Sequence, residues 1–225
     1  MIRAVAFDFD GVLVETVEVK TRAFARLFHH EAPEDVQRIV DYHRRHGGVS
    51  RFEKFRTIYR EVLQRPLNEE TFQQLCQGFA SLVVAEVMAA PWVDGAEEFL
   101  RAHRGRFQFF VISGTPQEEL RTIIRARGAE AYFAAILGSP RTKDCLLREV
   151  MRRYKLAPEE LVFIGDSATD WQAAAHVGAP FILRCVQEEP PAWTGFSGAR
   201  IHSLDDLEAI LAIVDHYAVT LGSRG

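Results

Sequence analysis

Residues 5–15 read VAFDFDGVLVE, an apolar run that carries two acids, Asp8 and Asp10, just before Gly11. The apolar residues predict a buried strand over Ile2 to Phe9. Because residues i and i+2 of an extended chain point the same way, the two carboxylates project together where this strand ends. Gly11 then lets the chain turn sharply. Taken alone, the stretch is consistent both with an exposed acidic turn and with a reaction centre, so other segments decide between them.

The rest of the chain alternates between two hydrophobic patterns. Further strands are predicted at 107–113, 134–138, 161–165 and 180–184, with helical patterns at 116–128, 142–154 and 168–178. Such alternation is typical of an α/β protein in which helices cover both faces of a parallel sheet. The carboxyl ends of the strands in such a sheet are where ligands bind.

The segment that follows the first strand breaks this alternation. It contains helical patterns at 17–30, 33–45, 50–63 and 68–90 and no convincing strand. Pro91 and Gly95 then interrupt the last helix and predict a hinge. We therefore expect an all-helical domain over 16–90, inserted into a core formed by 1–15 and 91–225. Residues 185–200 are predicted to form a surface loop.

Composition excludes several classes of function. The 225 residues carry 27 basic and 31 acidic side chains, a net charge of −4, so no global positive field favours nucleic acid or an anionic membrane. No signal peptide and no apolar run of roughly 18 residues is found, which favours a cytoplasmic protein. The three cysteines show no CxxC spacing, so neither a disulfide framework nor a zinc site is expected.

A small polar pair, Ser113 and Gly114, closes the second predicted strand. Thr115 is predicted to cap the following helix, with Pro116 at its first position and Glu118 as the capping acid. The Ser113 hydroxyl and the backbone N–H groups at this helix start suit a phosphate. Helix capping alone is the alternative, and it leaves the Ser-Gly pair unexplained.

Two later segments place further charges at the same predicted sheet edge. Lys143 lies at a helix start, where the helix dipole disfavours a cation. It either offsets clustered carboxylates and binds a phosphate or is a solvated surface lysine. Asp166 ends another apolar strand, and Asp170 follows four residues later. A capping box formed by Ser167 and Asp170 accounts for Asp170 without catalysis, but it does not account for Asp166.

DxDG, then Ser-Gly, then Lys, then GDSxxD occur in this order at the ends of predicted strands. The chain thereby resembles the haloacid dehalogenase superfamily, and in particular its phosphoglycolate phosphatase and beta-phosphoglucomutase-like members. The resemblance covers the whole chain. It implies a Rossmann-like parallel-sheet core with helices on both faces and a mobile all-helical cap domain, the latter corresponding to the predicted insert.

The resemblance also implies chemistry through an aspartyl phosphate. Asp8 would be the nucleophile and Asp10 the general acid and base. Mg²⁺ would be the cofactor, held by Asp8, Asp166 and the backbone carbonyl of Asp10, with Asp170 as a supporting acid. The presence of Asp10 argues against carbon–halogen cleavage, because the dehalogenases of this superfamily lack that acid.

The remaining motif residues are assigned to the substrate by the same resemblance. Ser113, the N–H of Gly114 and Lys143 would bind the phosphoryl oxygens. In the cap, the Gly-Val-Ser-Arg stretch that ends at Arg51 resembles a mutase cap loop that binds a distal phosphate. Lys20 stands where those mutases have a histidine, and it would contact an anionic group of the substrate.

The sequence leaves more than one function open. A Mg²⁺-dependent phosphatase of a small phosphorylated metabolite, phosphoglycolate-like or a sugar phosphate, is the expected function, from a monomer or homodimer. A beta-phosphoglucomutase-like phosphomutase is the first alternative, although Lys20 in place of histidine weakens it. A phosphonate hydrolase that uses Lys20 or Lys54 as a Schiff base is another. A noncatalytic phosphate-binding or regulatory protein is the alternative from a different class.

Overall fold

The computed structural model describes residues 1–185, 196–212 and 214. Within them, six parallel strands form one sheet in the order β3-β2-β1-β4-β5-β6. The strands are β1 (Ala4–Phe7), β2 (Gln108–Pro116), β3 (Ala135–Ser139), β4 (Leu161–Gly165), β5 (Phe181–Arg184) and β6 (Ala199–Ile201). The order changes direction at β1, which lies between β2 and β4, and such a switch point is where open α/β sheets bind ligands.

A helix begins at Leu207, and eight α-helices before it connect or follow the strands in the described part of the chain. They are α1 (Val17–Leu27), α2 (Pro33–Arg45), α3 (Arg51–Thr57), α4 (Glu69–Ala89), α5 (Ala96–His103), α6 (Gln117–Ala126), α7 (Lys143–Tyr154) and α8 (Ala168–Val177). A π-helical turn, Ile58–Val62, extends α3. No helix in the described ranges is both long enough and apolar enough to cross a membrane.

Both faces of the sheet are covered by helices. Along β1, Val5 and Phe7 belong to one apolar cluster and Ala4 and Ala6 to another, as the two-residue period of a strand requires. The first cluster includes α5 and α6, and the second includes α7 and α8. The prediction of an α/β fold with a parallel sheet between helical layers is confirmed.

The helices α1 to α4 form the insert between β1 and the rest of the sheet. Aromatic rings hold them together: the Phe24 ring of α1 lies 5.7 Å from that of Phe55 in α3 and 4.9 Å from that of Phe79 in α4. All three side chains are buried. The insert thus has apolar packing of its own, as the helical patterns indicated. Its boundaries as a domain, 16–90, remain a prediction.

The two chain segments that join the insert to the core run side by side. The N–H of Glu15 donates to the carbonyl of Pro91 at 3.0 Å, and the N–H of Val93 donates to the carbonyl of Leu13 at 3.0 Å. The core residue Arg127 donates to three carbonyls at the end of α4 and start of this segment, those of Val87, Met88 and Ala90. This paired connection is the predicted hinge region.

Two local predictions are corrected by the structure, and one helix was not predicted. Thr115 does not cap α6, because β2 continues through Pro116 and the helix begins at Gln117. The predicted loop 185–200 overlaps strand β6. This strand has only three residues, one of them buried, and such a segment is too short for its sequence pattern to predict a strand. Residues 186–195 of that loop lie outside the described residues. Helix α5 was not predicted, since only eight residues separate the turn at Gly95 from the next loop.

Candidate active site

Asp8 lies immediately beyond β1 and is 2% exposed. Its backbone N–H donates to the Ile164 carbonyl of β4, and its Oδ1 accepts from the N–H of Phe9 at 2.7 Å. Burial raises the pKa of Asp8 to about 7, helped by the nearby charges of Asp170 and Asp10 and opposed by Lys143. The carboxylate is therefore held rigidly in a position that favours a compensating positive charge.

Asp10 points to a different set of partners. Its Oδ1 accepts from Thr16 Oγ1 at 2.6 Å, and its Oδ2 accepts from Thr115 Oγ1 at 3.0 Å and from Lys20 Nζ. Burial acts to raise the pKa of Asp10, but the charge of Lys20 and these hydrogen bonds outweigh it and lower the pKa. The two motif acids are thus held in different electrostatic environments.

Lys143 joins two of the predicted acids. Its Nζ lies 2.9 Å from Asp8 Oδ2 and 2.5 Å from Asp170 Oδ1, and the residue is 7% exposed. Burial acts to lower the pKa of Lys143, but the two carboxylates outweigh it and raise the pKa, so the ammonium stays charged. Lys143 is the first residue of α7, where the helix dipole disfavours a cation, and these carboxylates stabilise it there.

Asp170 serves as both a helix cap and a member of the acidic cluster. Its Oδ2 accepts from the backbone N–H and the hydroxyl of Ser167, which confirms the predicted capping box at the start of α8. Its Oδ1 faces Lys143. The side chain is fully buried, so its capping role also fixes the position of the lysine.

The donor set fits a hard divalent cation. One carboxylate oxygen from each of Asp8, Asp166 and Asp170 lies within 4.8 Å of the others. Burial, followed by the charges of Asp8 and Asp170, raises the pKa of Asp166 well above its ordinary value. Carboxylate oxygens are the ligands that Mg²⁺ prefers, and such a cation would relieve their mutual repulsion. The side chain of Asp10 is not in this cluster, so any contribution from Asp10 would come from its backbone.

Ser113 and Gly114 lie near the end of β2, next to Thr115 and so to Asp10. The Ser113 hydroxyl is buried and accepts from the N–H of Thr115 at 3.1 Å. The cap covers this corner directly, since any Cβ on Gly114 would clash with the carbonyl oxygen of Gly48. The small Ser-Gly pair that the sequence left unexplained is therefore a place where the cap loop packs closely against the core.

The cap loop also touches the other side of the site. The Gly47 carbonyl accepts from Thr169 Oγ1 at 3.0 Å, and a Cβ on Gly48 would lie 3.0 Å from Lys143 Nζ. The loop 47–50 thus spans the candidate phosphate-binding groups from β2 to α7. A ligand held by Lys143 and Ser113 would be enclosed by the cap.

The two predicted cap cations both have protein carboxylates as partners. Lys20 Nζ contacts Asp10 and donates to Thr115 Oγ1 at 2.9 Å. Arg51 pairs with Glu119 in the first turn of α6. Their predicted contact with an anion of the substrate stays a prediction. The carboxylates of Asp10 and Glu119 would compete with such an anion for Lys20 and Arg51, respectively.

Several site residues were not found from the sequence. Thr16 and Thr115 donate to Asp10, although nothing in the sequence indicated Thr16 at the site and only a helix cap was predicted for Thr115. Glu119 is not among the site residues that the sequence predicts. Its only sequence signal is an acid in the first turn of a helix, which dipole stabilisation already explains. Such contacts between distant segments depend on how the cap docks, which spacing along the chain does not encode.

Comparisons with known proteins show which family and which proteins the chain resembles. A family model for haloacid dehalogenase-like hydrolases matches residues 2–178. A phosphorylated carbohydrates phosphatase of Thermotoga maritima is 28% identical over 218 residues, covering 93% of this chain and 90% of that protein. A phosphoglycolate phosphatase of Photorhabdus laumondii is 26% identical over 187 residues, covering 80% and 79% respectively. The crystal structure of a predicted phosphoglycolate phosphatase from Haemophilus somnus is similar in fold, with a TM-score of 0.73, 17% identity and coverage of 93% of this chain and 98% of that one.

The chain belongs to the haloacid dehalogenase-like hydrolase family, whose model covers more than half of its length. The predictions of this family, of its fold class and of a phosphatase within it are confirmed.

Proposed function

We propose that the chain is a Mg²⁺-dependent phosphatase that hydrolyses a small phosphomonoester, phosphoglycolate-like or a sugar phosphate, through an aspartyl phosphate at Asp8. The observation that carries this proposal is the position of the buried Asp8 carboxylate, with Oδ2 2.9 Å from Lys143 Nζ. The Asp10 carboxylate stands apart from it, hydrogen-bonded to residues of both core and cap. The relatives named above are phosphatases of such substrates, which supports the same class.

In the first step, an Asp8 oxygen attacks phosphorus and the bond from phosphorus to the alcohol oxygen breaks, while Asp10 gives the departing oxygen a proton. Lys143, the Ser113 hydroxyl and the N–H of Gly114 hold the phosphoryl oxygens. In the second step, a water attacks phosphorus and loses a proton to Asp10. The bond from phosphorus to Asp8 then breaks, which releases inorganic phosphate and restores the carboxylate.

The proposed cofactor is consistent with the acidic cluster. Mg²⁺, held by the carboxylates of Asp8 and Asp166 and the backbone carbonyl of Asp10, would shield negative charge between the nucleophile and the phosphoryl group. Asp170 would support the site through Lys143 and Ser167. We also propose a cytoplasmic location and a monomeric or homodimeric state, with a phosphorylated metabolite as partner.

Hydrolysis of p-nitrophenyl phosphate with added Mg²⁺, followed by a panel of phosphorylated metabolites, tests the proposal. Wild type should turn over, Asp8→Asn should not, and Asp41→Asn, an exposed acid on α2, should match wild type. Conversion of a hexose 1-phosphate into the 6-phosphate would instead favour the phosphomutase. Binding of phosphate and Mg²⁺ with no turnover of any ester would favour the noncatalytic alternative.

A further inference from the structure

Arg51, at the start of cap helix α3, forms an ion pair with Glu119, in the first turn of core helix α6. The two side chains are 6% and 14% exposed. The Arg51 guanidinium also lies over the Phe79 ring, 4.6 Å from its centroid. A charge pair so well removed from water is held in one arrangement, because an unpaired member would be costly there.

This pair lies beside the groups assigned to the substrate. Arg51 directly follows the cap loop 47–50, which touches Gly114 and approaches Lys143. Glu119 lies in the helical turn that follows β2, a few residues beyond Gly114. A phosphoryl group held by Lys143 would therefore lie next to the cap loop that leads directly into Arg51.

The other cap cations near the site are also occupied by protein groups. Lys20 is bound to Asp10 and Thr115. Lys54 Nζ lies 2.9 Å from His43 Nδ1 and 3.3 Å from the His43 carbonyl oxygen. Burial and the charge of Lys20 lower the pKa of Lys54 to about 7, so this amine carries only part of a charge at neutral pH. A second anion of the substrate would have to take one of these cations from its protein partner.

We propose that Glu119 is a specificity-determining residue that competes with a second anionic group of the substrate for Arg51. With Glu119 in place, the guanidinium is already neutralised, and an added phosphate or carboxylate would meet the like charge of Glu119. The site thereby selects monophosphates whose remaining groups are uncharged, such as sugar monophosphates, over bisphosphates and phosphorylated carboxylic acids. This inference rests on the proposed function and narrows its substrate class.

The experiment compares two ligands that differ by one phosphate. Glucose 6-phosphate and glucose 1,6-bisphosphate are used as competitors of p-nitrophenyl phosphate hydrolysis, and the ratio of their inhibition constants is measured. Using a ratio cancels any change in the core that affects both ligands equally. Wild type is compared with Glu119→Gln, with the charge-retaining Glu119→Asp, and with Glu118→Gln. Glu118 is the matched control, because it is 85% exposed and pairs with Arg121 on the same helix.

Glu119→Gln should shift the ratio toward the bisphosphate by about ten-fold or more, the size of one charge-assisted contact. Glu119→Asp and Glu118→Gln should keep the wild-type ratio, and adding Arg51→Gln to Glu119→Gln should abolish the shift. An unchanged ratio in folded Glu119→Gln would overturn the inference. If that variant does not fold, the ratio measured for wild type tests the inference. Equal or weaker binding of the bisphosphate supports the inference, and binding of the bisphosphate that is tighter by about ten-fold or more overturns the inference.

The failure of this inference differs visibly from failure of the proposed function. The proposed function fails if wild type does not hydrolyse p-nitrophenyl phosphate in the presence of Mg²⁺. In that case, the same ratio is measured by calorimetric titration of the two hexose phosphates, so Glu119 is tested all the same. If hydrolysis proceeds and the ratio does not respond to Glu119→Gln, only the specificity inference is lost.

Discussion

The ammonium group of Lys20, on the first helix of the cap, lies against the carboxylate of Asp10, at the end of the first core strand. The same ammonium donates to Thr115 Oγ1 at 2.9 Å, so one cap side chain joins the candidate acid/base residue to β2. Both members of the pair are 16% exposed. The cap therefore contributes directly to the electrostatics of the candidate active site.

Replacing Lys20 should change how activity depends on pH. The charge of Lys20 lowers the pKa of Asp10, so Lys20→Met should raise that pKa. Because Asp10 must carry a proton to protonate the leaving oxygen, the alkaline limb of kcat/KM should move to higher pH. Lys20→Arg keeps the charge and should keep the wild-type profile. A profile of Lys20→Met that coincides with that of wild type would show that Lys20 does not tune Asp10.

The neighbours of Asp8 could be predicted from the sequence, whereas the neighbours of Lys20 could not. Asp8, Lys143 and Asp166 lie close together because all three stand at the carboxyl edge of the sheet, directly after a strand or at the start of a helix. The ends of the strands can be located from the apolar runs in the sequence. Lys20 and Arg51 were recognised as candidate cations, but their carboxylate partners were not. Those partners depend on how the insert docks on the core, which no local pattern specifies.

Thr115 illustrates a second limit of sequence interpretation. A threonine before Pro-x-Glu has the pattern of a helix cap, and the helix does begin nearby. The hydroxyl instead bonds Asp10 and Lys20, which lie 105 and 95 residues away in the chain. A threonine hydroxyl can bond either a nearby backbone group or a side chain that is distant in sequence. Here it bonds the charged groups of Asp10 and Lys20, because hydrogen bonds to charged groups are stronger.

Mg²⁺ should stabilise the protein more at alkaline than at acidic pH. Burial and neighbouring acids raise the folded-state pKa of Asp8 to about 7, so without a cation the protein loses stability as pH rises from 3.8 through this value. A bound cation favours the ionised acids. With Mg²⁺ at roughly 100 times its Kd, the Tm at about pH 8 should rise by about 5 °C or more, and less at about pH 5.5.

The control for this measurement is Asp166→Asn, which removes one carboxylate of the cluster. Its Tm should respond much less to Mg²⁺ at both pH values, whereas Asp41→Asn should respond as wild type does. A rise in Tm that is equal in Asp166→Asn and wild type would place the Mg²⁺ effect outside the acidic cluster.

The buried pair formed by Lys54 and His43 should make stability rise with pH. Lys54 has its pKa lowered from 10.5 to about 7, mainly by burial, so between these values the unfolded chain binds more protons than the folded one. Stability attributable to Lys54 therefore increases from about pH 7 toward pH 10.5, by an amount on the order of a few kcal/mol. His43, whose pKa is lowered from 6.5 to about 2, acts in the same direction below pH 6.5.

Urea denaturation of wild type and Lys54→Met across this pH range isolates the contribution of Lys54. The free energy of unfolding of wild type, minus that of Lys54→Met, should increase as pH rises above about 7. Lys155→Met, at an exposed position, provides the control and should show no such trend. A difference between wild type and Lys54→Met that stays flat with pH would mean that Lys54 is not buried as the structure has it.

Arg127 should stabilise the connection between cap and core. It donates to the carbonyls of Met88 at 3.0 Å and Ala90 at 2.7 Å and lies over the Trp92 ring at 4.6 Å. Arg127→Met should lower the free energy of unfolding by about 1–3 kcal/mol, since several carbonyls lose a charged donor. Arg125→Met, two residues away and paired with Glu130 in an exposed bridge, should cost well under 1 kcal/mol. Equal losses in the two variants, measured by urea denaturation, would contradict this role.

The proposed mechanism requires that Asp8 is the residue that becomes phosphorylated. The most direct measurement is an acid quench of the enzyme during turnover of a phosphomonoester labelled with radioactive phosphorus, followed by mapping of the labelled peptide by mass spectrometry. We expect one labelled phosphoryl group on Asp8 in wild type and none in Asp8→Asn, with no label on Asp10. Hydrolysis by wild type with no label at Asp8 at any quench time, or with label on another residue, would contradict it.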